Sequence, residues 1–165
     1  MDRRREGQAG AGRGQQGYSL PELLIVIAIM ALFILFAGPA MAEAYKAYKV
    51  RAVANNLATD LRAQRYNAVS NRTPRTLTVN NQAHATAPNR YSYTTYKGDV
   101  ITVRMDGVNI ETTSAASITF NINGSSGSAG NTTFMVSAMI NSSRNDRYTI
   151  TVSPTGTVST AYSTF

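Results

Sequence analysis

From Leu23 to Ala42 the chain reads LLIVIAIMALFILFAGPAMA, twenty residues without a charge between Glu22 and Glu43. A helix of that length rises roughly 30 Å at about 1.5 Å per residue, the thickness of a bilayer's hydrocarbon core. Helix signals run almost unbroken from Pro21 to about Asn71, because a proline in a first turn removes an N–H that has no partner anyway. Past Pro39 the pattern becomes amphipathic. Val50, Val53, Ala54, Leu57 and Leu61 recur at helical spacing, with Lys49, Arg51, Asp60 and Arg62 mostly off that stripe. The pattern predicts one long helix, apolar in its first half and packed along one face in its second. Pro39 is expected to kink it, with Gly38 beside it adding slack.

After Pro74 the period switches to two. Leu77 and Val79 alternate, as do Tyr91 and Tyr93, then Ile101, Val103 and Met105. Ile118, Phe120 and Ile122 follow, then Phe134, Val136, Ala138 and Ile140, and finally Tyr148, Ile150 and Val152. Such alternation, rich in threonine and tyrosine, marks half-buried antiparallel strands. Turn signals separate them at Lys97-Gly98-Asp99, Asp106-Gly107, the tract NGSSGSAGN from Asn123 to Asn131, NSSRND from Asn141 to Asp146, and Pro154-Thr155-Gly156. The expected fold class is α+β: a long N-terminal helix whose amphipathic half covers one face of an antiparallel β-sheet domain. The boundaries fall at 18–42 for the membrane-spanning half, 43–73 for the amphipathic half and 74–165 for the β domain.

Composition narrows the chemistry. Residues 1–16 are mostly glycine, glutamine and arginine, too polar to pack. Their four arginines against Asp2 and Glu6 leave a net +2, so the remainder of the +7 chain carries +5, a mild preference for acidic partners. The absence of cysteine excludes disulfides, thiolate metal sites and cysteine nucleophiles. His84 is the lone histidine and cannot complete a metal site or a triad within one chain. The acids are scattered among helix ends and turns, with no pair placed for general acid–base work. Gly12 to Gly17 fits G-x-G-x-x-G by letter, yet no strand precedes it and a membrane helix follows, so it binds no dinucleotide. The Ser/Gly tract at 123–130 reads as a flexible loop. No catalytic residue, metal or cofactor is expected.

The stretch Gly17, Tyr18, Ser19, Leu20, Pro21, Glu22, followed by LLIVIAIMALFILFA, resembles the N-terminus of the type IV pilin superfamily, which includes the pseudopilins of type II secretion. Pro39 also matches a common kinking proline of that superfamily. Downstream the chain resembles the GspH/FimT group of minor pilins and pseudopilins, in LRAQRYNAVSNR (Leu61 to Arg72), SITFNINGSSG and the closing YTITVSPTGTV. The resemblance implies that a prepilin peptidase cuts after Gly17 and methylates the new amine of Tyr18. It also implies a leader, residues 1–17, that stays cytoplasmic and a β domain that faces outward from the bacterial inner membrane. Charge alone leaves that orientation open, because four Lys/Arg precede the apolar run and Lys46, Lys49, Arg51 and Arg62 lie within about 20 residues after it. Implied partners are other pilins in a helical fibre, an inner-membrane assembly platform driven by a cytoplasmic ATPase, and secreted cargo or DNA. Within the fibre, Glu22 is expected to set the register by meeting the Tyr18 ammonium of a neighbour.

Two other readings stand beside this one. Ala40-Met41-Ala42 forms an A-x-A cleavage site, which would make the chain a secreted β domain beginning at Glu43. Against it, twenty apolar residues exceed the usual core of about 7–15, and Glu22 sits where such a signal is positive. Some pilins of the group are associated with DNA uptake, which makes Arg144 and Arg147 candidate phosphate contacts, with Arg90, Lys97 and Arg104 near tyrosines. The 123–131 and 81–90 segments are candidate contact surfaces, as long loops often are.

Overall fold

Helix α1 runs from Leu20 to Ser70, 51 residues, in a computed structural model that describes residues 18–80, 89–112 and 116–165. The chain divides into two compact units, one up to Pro39 and one from Ala40 onward. In the first unit every described residue of α1 is exposed, from Ile29 at 48% to Phe36 at 77% among the large apolar side chains. A helix apolar around its whole circumference is stable only in lipid or among other apolar helices. The sequence expectation of a span holds in length and composition.

The second unit holds the core. Along α1, Val50, Ala54, Leu57, Ala58, Leu61, Gln64 and Ala68 are buried, a single stripe at helical spacing. Val53, expected on that stripe, is half-buried beside it. The stripe joins one cluster with Leu77, Tyr91, Phe120, Phe134 and Ile150 from the strands. Each fully buried side chain of this size contributes about 1.5–3 kcal/mol of apolar transfer.

Eight strands follow: β1 (Arg75–Asn80), β2 (Asn89–Thr94), β3 (Val100–Met105), β4 (Asn109–Thr112), β5 (Ser117–Phe120), β6 (Thr132–Asn141), β7 (Arg144–Val152) and β8 (Val158–Thr164). They form two antiparallel four-stranded sheets, ordered β3-β2-β1-β5 and β4-β6-β7-β8. The period-two pattern suggested one sheet. It reports which side chains are buried, not which strands pair, so the transfer of the chain to a second sheet at Asp106-Gly107 left no trace in it. Gly107 makes that turn with φ +71°, in the left-handed region.

Other departures have local causes. Ile122 lies beyond β5 and is 54% exposed, because Asn121 N–H donates to the Ser125 carbonyl and turns the chain there. Ile101 is exposed on β3, an edge strand, whereas Met105 at its end is buried. Strands β4 and β8 carried no signal: β4 has four residues, and β8 is the exposed edge of its sheet.

Polar contacts fasten the amphipathic half of α1 to both sheets. The buried Tyr91 hydroxyl donates to Asp60 at 2.6 Å. At the other end of this half, Lys46 donates to the Ile140 carbonyl at 3.3 Å and Glu43 accepts from Asn141 at 3.1 Å. The tip of the β6–β7 hairpin is thereby held level with the first residues after the apolar run.

Candidate processing and assembly site

Gly17 and the residues before it lie outside the described residues. Tyr18 is 84% exposed and Ser19 precedes the helix. The first turn closes where Leu23 N–H donates to the Ser19 carbonyl at 3.2 Å. Ser19 thus takes the N-cap position and Glu22 the third helical one, the S-x-x-E spacing of a capping box. Sequence reading missed this, although the four letters carried the signal. A carboxylate in a first turn also faces the positive end of the helix dipole. Glu22 therefore has a reason to be here within one chain, beyond any partner it meets in an assembly.

Gly38 and Pro39 lie inside α1, which does not end at the proline. A Cβ added at Gly38 would meet open space.

The paired arginines separate. Arg144 begins β7, directly after a two-residue turn, and its guanidinium clasps Asp146 with bonds of 2.7 and 2.9 Å. Asp146 is 2% exposed, so its charge needs that partner. The Arg144 guanidinium is held even more firmly protonated than usual by this carboxylate and by the Tyr162 hydroxyl. Arg147 projects to the other side of the strand, over the Phe165 ring at 4.2 Å from its centroid. Arg144 lines a hollow with Arg51, Tyr48 and Tyr162, while Arg147 lines a different one. The two candidate phosphate contacts do not form one patch.

The tract expected to be flexible is tied down over its first half. Gly124 N–H donates to Asn121 O, Ser126 N–H to Pro154 O and Gly127 N–H to Thr119 O. Arg65 reaches across from α1 to the carbonyls of Gly124 at 3.0 Å and Thr155 at 3.2 Å. This corrects the loop reading: the arginine-bearing end of α1 is a clasp for two turns. Only Asn89 and Arg90 of the 81–90 segment are described, at the start of β2. His84 lies outside the described residues. Among the described residues, no group of three His, Asp or Glu side chains could hold a metal ion.

The family model of type II transport protein GspH matches residues 53–156, from the middle of α1 to the turn before β8. The chain belongs to the GspH family. A model of the prokaryotic N-terminal methylation motif matches residues 12–38 of this GspH-family chain, covering Tyr18 and Glu22. Among solved structures, it is similar to the type IV minor pilin FimU of Pseudomonas aeruginosa strain PAO1. In one crystal form the TM-score is 0.53 at 15% identity, covering 69% of this chain and 89% of that one. In another it is 0.50 at 17% identity, covering 67% and 91%. No curated protein matches the chain in sequence. Family, motif and fold agree on a minor pilin or pseudopilin, a structural class of subunit.

Proposed function

We propose that the chain is made as a single-pass precursor in the bacterial inner membrane, cleaved by prepilin peptidase after Gly17 and N-methylated at Tyr18. It then joins other pilins in a secretion pseudopilus or a type IV pilus, drawn out by the assembly platform. Residues 18–42 are the lipid anchor and later the fibre core, with Gly38 and Pro39 as the bend point of the rod. Residues 43–165 face outward and meet neighbours or cargo. The observation that carries this reading is a 51-residue helix with Tyr18 at its head, Glu22 in its first turn, and no buried residue among those described before Ala40.

The charge logic follows from the first turn. An ammonium on Tyr18 and a carboxylate on Glu22 are each costly inside a bundle of apolar helices. Meeting across two subunits at about 4 Å, with an effective dielectric near 20, they attract by roughly 4 kcal/mol before desolvation. Subunits one register out would bury both charges unpaired. Glu22→Gln separates this role from the capping box, because glutamine still caps the helix but carries no charge. The variant is expected to be cleaved normally and to be lost from sheared fibres. Incorporation at the parental level would refute the register charge.

A secreted β domain starting at Glu43 is the competing product. The methylation motif spanning residues 12–38 supports the anchored form instead.

A further inference from the structure

The end of the second unit that follows the apolar run is built for more than attachment. Met41, Tyr45 and Tyr48 recur at helical spacing and are 70%, 66% and 69% exposed. Tyr45 and Tyr48 stand three and six residues past Ala42, roughly 4.5 and 9 Å along a helix axis, the depth of lipid headgroups. Tyrosines concentrate at that depth because the ring is apolar and the hydroxyl polar. The β domain adds to the same end. An open concavity of about 890 Å³ is lined by Ala42, Tyr45, Lys46 and Lys49 of the helix, and by Met139, Arg147 and Phe165 of the sheet among others.

Three cations line this hollow, and none forms an ion pair among the described residues. Lys46 gives one bond to the Ile140 carbonyl at 3.3 Å, which leaves two of its protons available. The Lys49 ammonium stands 3.5 Å from where a Cβ at Gly107 would lie, so glycine there leaves it room. The Arg147 guanidinium carbon lies over the Phe165 ring, a contact that leaves N–H donors to bind elsewhere. Glu111 is the one carboxylate side chain among the lining residues, and it accepts from Asn109 at 2.8 Å. Met139 and Phe165 are 68% and 59% exposed at the rim. Cations with apolar and aromatic neighbours, directly beyond a membrane segment, match an anionic headgroup on an acyl surface.

We infer that this end of the domain is a lipid-binding foot, in which Lys46, Lys49 and Arg147 hold the phosphate of an anionic phospholipid in the leaflet facing the domain. Tyr45, Met139 and Phe165 settle into the interface around it. The inference rests on the proposal that residues 18–42 span the membrane. Tyr45, Lys46 and Lys49 lie between the two regions that the family models match and Phe165 lies beyond them, whereas Met139 and Arg147 fall inside the GspH match. Its consequence is mechanical: the foot holds the subunit at one depth and tilt before extraction, and the lipid must be released when the subunit enters a fibre.

The test uses the full chain in bilayers of phosphatidylcholine with phosphatidylglycerol, measuring the exchange of spin-labelled forms of both lipids at the protein surface. The parent is expected to prefer phosphatidylglycerol several-fold, with each neutralised cation lowering the preference by up to about fivefold. Lys46→Gln/Lys49→Gln/Arg147→Gln should abolish the preference, whereas Arg62→Gln/Arg72→Gln/Arg104→Gln, with the same charge loss elsewhere, should keep it. Equal affinity for the two lipids in the parent, or a preference surviving the triple substitution, overturns the foot. Displacement of phosphatidylglycerol by inorganic phosphate beyond the effect of sodium chloride at equal ionic strength assigns the cations to a free anion and also overturns it. A chain that does not enter bilayers at all defeats the proposed function itself, whereas entry without lipid preference defeats only the foot.

Discussion

Tyr91→Phe tests how the rod is fastened to the first sheet, and its effect should nearly vanish at high pH. Tyr91 is 1% exposed, and its hydroxyl gives the 2.6 Å bond to Asp60. Phenylalanine keeps the ring packing and removes only that bond. A hydrogen bond to a charged group contributes about 1.5–3 kcal/mol, and the low end applies because Asp60 is half-buried and water can replace the lost donor. A loss near 1.5 kcal/mol lowers the Tm of a domain this size by roughly 5 °C. Burial, the bond to Asp60 and the Asp60 charge, in that order, hold the Tyr91 hydroxyl protonated far above its ordinary value of 10.0. Above that value the unfolded chain releases the tyrosine proton while the folded chain retains it, so unfolding becomes easier as pH rises. At about pH 11 the parent should have lost about 1.4 kcal/mol from this group, and phenylalanine has nothing to titrate. The gap between the two proteins should therefore nearly close between pH 7 and about 11. Thermal unfolding of the detergent-solubilised chain, followed by near-ultraviolet circular dichroism at both pH values, reads this directly. Equal stability at pH 7, or a gap that does not shrink, would refute the reasoning.

Gly156→Ala should be costly for its size: φ is +81°, and the new Cβ would press on the Gly124 carbonyl and lie 2.9 Å from Arg65 Nε. About 2–4 kcal/mol is expected from the strained backbone and the overpacking together, read as a lower urea midpoint. Arg144→Gln should lower the unfolding midpoint because Asp146 is left buried and unpaired, and adding Asp146→Asn should restore much of the loss. A lone Arg144→Gln as stable as the parent would show that the clasp has no structural weight. If Arg144 and Arg147 served a nucleic acid instead, binding would weaken steeply with salt and with either substitution; the separated geometry predicts a flat response.

The first half of the molecule was legible because its physics is one-dimensional. A charge-free run of bilayer length, and a stripe of Val50, Ala54, Leu57 and Leu61, need no knowledge of partners. The strands with one buried face were legible for the same reason, as Phe134, Val136 and Ile150 illustrate. What failed was pairing. No local pattern says that β4 leaves its sequence neighbours to join β6, or that an exposed Ser/Thr-rich segment such as Val158–Thr164 is a strand at all. The Gly/Ser tract misled in the opposite direction, because part of its order comes from groups distant in sequence, the Pro154 carbonyl that Ser126 N–H binds and Arg65, 59 residues away from the Gly124 carbonyl it binds. At the candidate site, Tyr18 and Glu22 were readable as a motif, while the S-x-x-E spacing of Ser19 and Glu22 was present in the letters and overlooked. Arg144 and Arg147 looked alike in sequence, yet strand alternation sends them apart.

The central claim is that one apolar helix stays with the exported molecule, tethering it in lipid and later serving as fibre core. Intact-mass and N-terminal fragment analysis of the chain extracted from membranes tests this most directly. The expected mature protein begins with N-methylated Tyr18 and retains the whole of Leu23–Ala42. A mature protein beginning at Glu43 would contradict it.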